Sequence, residues 1–283
     1  MEIIVNGTPA DLNPEELSLG QILGDLDGRL EAAGGIIVSI KLDGTPIDAD
    51  TLPSIADRPG NGPGRLEISA ESSTTMRASA IRTLLELIDA AAKADAANLP
   101  AVVKTWDRYR NVFDGLYAAE EASFLDAFAA ELEAGPAGLP IAAAKITFFF
   151  NERLTELEDP AGSMQTAARI FENLRPELAE VSVRMQTGKD SDAIKTMMVT
   201  VELINKAVRL LPEFSRAVPG AADFSVDGKN VGEFFDGFND ILRELAGAFE
   251  SRDGVLIGDL AEYEILPRLD LFFKAATGAL TSS

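Results

Sequence analysis

Asp259 and Glu262 are the two residues whose types and spacing come nearest to a chemical site. They stand three apart, so on a helix their carboxylates converge on one face. Two or three carboxylates so placed can hold Mg²⁺ or Ca²⁺. The competing reading makes Asp253 a helix cap and leaves Asp259, Glu262 and Glu264 as a solvated face. Tyr263 beside them then packs at the rim with its hydroxyl in water. Little else offers chemistry, because the 283 residues include no histidine and no cysteine. The commonest general base, the commonest metal ligand and the thiol nucleophile are all missing. Gly188-Lys189-Asp190-Ser191 resembles the end of a phosphate loop, but it lacks the upstream glycine and a preceding strand. It reads as a turn between helices with Asp190 or Ser191 as cap. No catalytic residue and no cofactor is assigned. Asp259 and Glu262 remain as metal candidates.

Aromatic residues supply the candidate binding surfaces. Lys104, Trp106, Arg108, Tyr109 and Arg110 mix basic and aromatic side chains as a base-stacking platform would. Trp106, Tyr109 and Phe113 nevertheless share a helical apolar stripe with Val102, which points to core or interface packing. Phe148, Phe149 and Phe150 cannot all face inward from one helix. At least one must meet another element, a partner or solvent, and aromatic residues are favoured at interfaces. Phe234, Phe235 and Phe238 pose the same choice. Phe148, Phe149, Phe150, Trp106, Tyr109 and Tyr263 are therefore the candidate partner contacts.

The charge balance narrows the partner class. There are 46 acidic and 25 basic residues, a formal net charge of -21. A nucleic-acid binder needs a basic footprint, and an anionic membrane repels this balance. The expected partner is a protein, with a homo-oligomer also open. The stretch 141–150 holds Lys145 and is too short to span a bilayer. The opening residues carry no signal-peptide pattern. The expectation is a cytoplasmic protein, with a bacterial source as a compositional guess.

The elements that must position these residues fall into two kinds. Glu2-Ile3-Ile4-Val5 reads as a strand, and Asn6-Gly7 suits a type I′ hairpin. Ser18 with Gln21 forms a capping box ahead of Leu19, Ile22, Leu23, Leu26 and Leu30, which share one helical face. Ile36 to Leu42 is a second clear strand, and Asp43-Gly44 a second turn. Thr45-Pro46-Ile47 returns along an edge, and Arg65 to Ala70 closes the set. This order resembles the ubiquitin-like β-grasp fold, and Ile3-Ile4-Val5-Asn6-Gly7 and Leu42-Asp43-Gly44 look like its small sulfur carriers. Those carriers end in a free Gly-Gly. Here Glu71-Ser72-Ser73 and about two hundred further residues follow, which sets sulfur transfer aside.

From Thr74 onward the periodicity is helical throughout, with Pro219–Asn230 as a loop, a break or kink at Pro176 and a bend at Pro267. One long helix carries Ile194, Met197, Met198, Val201, Ile204, Val208 and Leu211 along one face. The run 253–267 resembles a segment of helical bacterial proteins of unassigned role and implies no activity. Leu84, Glu86, Leu87, Ala90 and Asp95 match Leu242, Glu244, Leu245, Ala248 and Asp253. Stacked helix pairs and a single irregular bundle both fit that pattern.

The fold class expected is α+β, with a β-grasp module at 1–70 and a helical domain at 74–283. The function expected is non-catalytic: an adaptor, scaffold or chaperone-like protein-interaction module. The alternatives are a carboxylate-based divalent-metal enzyme and a self-assembling structural protein.

Overall fold

The structure, a computed structural model, describes residues 1–13, 17–48, 50–219, 221 and 225–281. The architecture is α+β: a mixed five-stranded sheet, then mostly helices. Strand β1 (Glu2–Val5) and β2 (Thr8–Pro9) are followed by helix α1 (Leu19–Ala32). Then come β3 (Gly35–Leu42), β4 (Thr45–Pro46), the short α2 (Leu52–Ile55) and β5 (Arg65–Ser72). The strand order is β2-β1-β5-β3-β4, with β1 parallel to β5 and the other pairs antiparallel.

Local chemistry explains this part. Asn6-Gly7 and Asp43-Gly44 have φ of 49° and 81°, and 50° and 79°, the left-handed pairs that a two-residue hairpin turn needs. Both turns also grip β5 through side chains. The Asn6 amide exchanges two 2.9 Å hydrogen bonds with the Ala70 backbone, and Asp43 Oδ1 accepts from the Arg65 amide at 2.8 Å. Ser18 and Gln21 make both bonds of the capping box that starts α1. Leu19, Ile22 and Leu26 of α1 bury against Ile3, Leu66 and Ile68 of the sheet. Each contributes about 1.5–3 kcal/mol by leaving water.

The helices run α3 (Ser73–Ala92), α4 (Leu99–Phe113), α5 (Ala119–Ala134), α6 (Leu139–Glu158), α7 (Pro160–Ala179), α8 (Val181–Gln186) and α9 (Asp190–Ala217). A small hairpin follows, β6 (Ser225–Val226) with β7 (Lys229–Asn230). Helices α10 (Val231–Ser251), α11 (Gly254–Asp259) and α12 (Leu266–Thr281) complete the chain. The compact units are Met1–Leu154 and Thr155–Ser283, the division falling near the end of α6. No described helix is long and apolar enough to cross a membrane.

Several local expectations need correction. The segment Pro219–Asn230 contains the β6–β7 hairpin, turned by Asp227-Gly228 with φ of 54° and 73°; residues 220 and 222–224 of it lie outside the described residues. Pro176 does not break α7, and the interruption comes at Glu180 instead. Neither Asp190 nor Ser191 caps α9, whose N-cap is Lys189 without a side-chain bond. The apolar face of α9 is also rotated. Ala193, Thr196, Met197, Thr200, Leu203, Ile204, Ala207, Leu210 and Phe214 are buried, while Ile194, Met198 and Val208 are exposed. Helix α9 packs along α7, which buries Ser163, Ala167 and Ala168. The Thr200 hydroxyl answers its burial by donating to the Thr196 carbonyl at 2.8 Å.

Before Pro267 the chain adopts a π-turn over Leu260–Ile265. Proline lacks an N–H, and its ring clashes with the carbonyl four residues back, here Tyr263. The wider turn removes that clash between α11 and α12.

Candidate functional site

Trp106 and Tyr109, expected as partner contacts, are core residues: both project from α4 and are 3% and 5% exposed. The Trp106 ring lies 5.2 Å from that of Phe128 on α5. The Tyr109 hydroxyl donates to the Ala80 carbonyl of α3 at 2.8 Å. A phenol has one proton, so Tyr117 is the donor in the short hydrogen bond between the two tyrosines. Burial pushes the Tyr109 hydroxyl far up. Burial first, with the Glu121 charge adding to it, pushes Tyr117 up to about 12. Both are neutral packing residues, not surface contacts.

A buried ionic cluster sets the geometry of α5 against α6. Glu121, 1% exposed, accepts from Arg77 of α3 at 3.0 and 3.1 Å and from the Ala118 amide at 2.9 Å. Arg153 of α6, also buried, donates to Glu120 at 3.1 Å and sits 3.7 Å from Glu121. Its guanidinium lies 4.3 Å from the centre of the Phe149 ring. Sequence reasoning missed this cluster. Its members are 44 and 32 positions apart, and no local pattern links them.

The three consecutive phenylalanines divide as their helical angles require. Phe150 is fully buried and meets the Tyr117 ring edge-on at 5.7 Å. It is therefore a core residue, not a partner contact. Phe149 is half-buried and stacks on Phe124 of α5 at 4.0 Å. Phe148 points outward at 75% exposure, and Ile141, seven residues earlier, is 80% exposed. Seven residues are nearly two full turns, so these two share one side of α6. Lys145 stands between them. Beside this lip a groove of about 390 Å³ runs between α5 and α6, lined by Phe124, Ala127, Glu131, Ile141, Ala142 and Lys145, among others. Phe234, Phe235 and Phe238, by contrast, are all buried, against one another and Phe272.

Asp259, Glu262 and Tyr263 come together at the surface around the start of the π-turn, with Tyr263 64% exposed. The Glu262 charge, then its hydrogen bond, and further off Asp259 raise the Tyr263 hydroxyl above its ordinary 10.0. Asp253 caps α11 by accepting from the Leu256 amide at 3.0 Å. Its sequence counterpart Asp95 accepts from the Asn98 amide at 3.0 Å in the link between α3 and α4. Among the described residues no group of three or more acidic side chains is gathered to hold a metal ion. The distinctive feature of the run 253–267 is its glycines. A Cβ on Gly254 would lie 3.1 Å from Met185 Cε, and one on Gly258 would lie 2.7 Å from Ser182 Cα. They let α11 press onto α8.

Two family models match parts of the chain. Residues 1–72, which end with β5, match the TP0873 N-terminal domain. Residues 163–275, within the second compact unit, match a domain of unknown function (DUF8042). The α5–α6 groove lies between the two matched stretches. No curated protein and no solved structure matches the chain.

Proposed function

We propose that this protein is a non-catalytic interaction module, a cytoplasmic adaptor, scaffold or chaperone-like protein that binds another protein. The observation that carries the reading is the apolar lip of α6, Ile141 and Phe148, standing in solvent beside the α5–α6 groove. A soluble surface seldom keeps two large side chains so exposed on one stripe unless something covers them. The buried Arg77–Glu121–Arg153 cluster links the two helices that make the groove.

The N-terminal sheet is the second part of the proposal. Its order, its parallel β1–β5 pair and the helix across one face support reading it as a ubiquitin-like β-grasp module. Such a module commonly serves as a recognition unit.

The test compares the full chain with Ile141→Glu and Phe148→Glu as baits in cells that express the protein naturally. The expected result is a stoichiometric protein partner retained by the wild type and lost by both variants. Identical partners for all three baits would overturn the reading. So would substrate turnover abolished by Asp259→Asn or Glu262→Gln, accompanied by a rise in melting temperature with Mg²⁺, Mn²⁺ or Ca²⁺. Light scattering over a concentration series separates a heterologous partner from self-assembly.

A further inference from the structure

We infer that the α5–α6 groove takes an amphipathic helix of another protein, one with two apolar anchors seven residues apart, an acidic residue between them and a basic outer surface. This deepens the interaction reading above and rests on it.

The groove's own dimensions and charges select this occupant. Ile141 and Phe148 are about 10.5 Å apart along α6 at 1.5 Å per residue. A helix laid beside α6 meets both with residues of its own that are also seven apart. The floor between the helices is apolar, with Phe124 stacked on Phe149. Two charges interrupt it, Lys145 on the α6 lip and Glu131 on the α5 wall. Neither makes an ion pair among the described residues. A purely apolar partner would cover Lys145 and leave a desolvated ammonium uncompensated, which opposes binding. An acidic residue in the middle of the partner's apolar stripe answers Lys145, and a basic one a turn or so away answers Glu131.

The same charges argue against a second copy of this chain. A two-fold copy that set Ile141 against Phe148 would put the midpoint of residues 141–148 on the axis. Lys145 would then face its own symmetry mate. Each copy also carries a formal charge of -21, so approach is repelled over a Debye length. The long-range field favours a basic partner, and Lys145 sets one local exception within it.

The test uses the full chain and two fluorescein-labelled synthetic helices of about 22 residues. Each carries leucines on one stripe and lysines elsewhere. One has glutamate midway between two leucines seven apart, and the other has lysine there. Fluorescence anisotropy should show the glutamate peptide binding at least tenfold more tightly than the lysine peptide. Lys145→Glu should reverse that preference, while Ile141→Glu and Phe148→Glu weaken both peptides at least tenfold. Circular dichroism checks that each variant is folded. Equal binding of the two peptides, binding of neither, binding indifferent to Ile141 and Phe148, or a Phe148-dependent dimer by light scattering would each overturn the assignment. A natural partner that depends on Ile141 and Phe148 but ignores Lys145→Glu would sink this inference alone. A partner indifferent to all three would sink the interaction reading with it.

Discussion

Gly258 of α11 lies so close to Ser182 of α8 that a Cβ built on it would fall 2.7 Å from Ser182 Cα and 2.8 Å from its Cβ. The neighbour is backbone, which cannot swing aside. Gly258→Ala should therefore force the two helices apart and cost about 2–3 kcal/mol, the range of an overpacked core. Gly254→Ala meets the flexible end of Met185 at 3.1 Å and should cost clearly less. Urea denaturation of the two variants checks the order. Equal losses would show that the close approach is not what these glycines provide.

Glu156 links a different pair of observations. Its carboxylate, 6% exposed, accepts from Lys206 at 2.9 Å and from Arg209 at 2.8 and 3.0 Å. Burial pushes its pKa up, but the bonds from Arg209 and Lys206 together prevail and hold it below its ordinary 4.5. A carboxylate depressed by folding stabilises the native state fully above 4.5. That stability declines as pH falls below 4.5 and is gone below the folded-state value. Glu156→Gln should cost about 3 kcal/mol at neutral pH, the low end for a broken buried pair because both cations keep some solvent. It should also flatten the stability profile in that acidic window, as read by denaturation at a series of pH values.

All three tyrosines titrate above the ordinary 10.0. Absorbance at 295 nm should show Tyr263 ionising first. Tyr117 should follow near 12, and Tyr109 only with unfolding. A phenol raised by folding leaves the native state holding more protons than the unfolded chain above pH 10. Stability must therefore fall as pH rises past that value. Tyr263→Phe should remove the earliest step and leave the alkaline loss of stability in place.

Arg252 ends α10 in the left-handed region, with φ of 56° and ψ of 35°. Glycine is the residue that adopts this conformation without steric cost. Arg252→Gly should stabilise the protein or leave it unchanged, within about 1 kcal/mol, because relief of strain is offset by a freer unfolded chain. A thermal melt that drops by several degrees would show that the Arg252 side chain holds something beyond the cap.

Much of the fold was legible because its causes are local. Asn6-Gly7 and Asp43-Gly44 demanded tight turns, and Ser18 with Gln21 demanded a helix start; each bond is present. Asp227-Gly228 carries the same turn signature, but its strands are two residues long, too short for alternation to show. The buried face of α9 differs from the one its apolar spacing predicts, because the helices packed against it decide which side is covered. Thr196 and Thr200 are inside and Met198 outside.

Composition excludes His and Cys chemistry, and local spacing places the first two tight turns and the α1 cap and forces Phe148, Phe149 and Phe150 apart. Those follow from composition and from angles along one chain segment. Packing sets which way each points: Phe150 into the core, Phe149 onto Phe124 and Phe148 into water. It also buried Trp106 and Tyr109, and brought Arg77, Glu121 and Arg153 together across 44 and 32 positions. Burial and ion pairing depend on which helices meet. That is a property of packing between distant segments, which no spacing within one of them encodes.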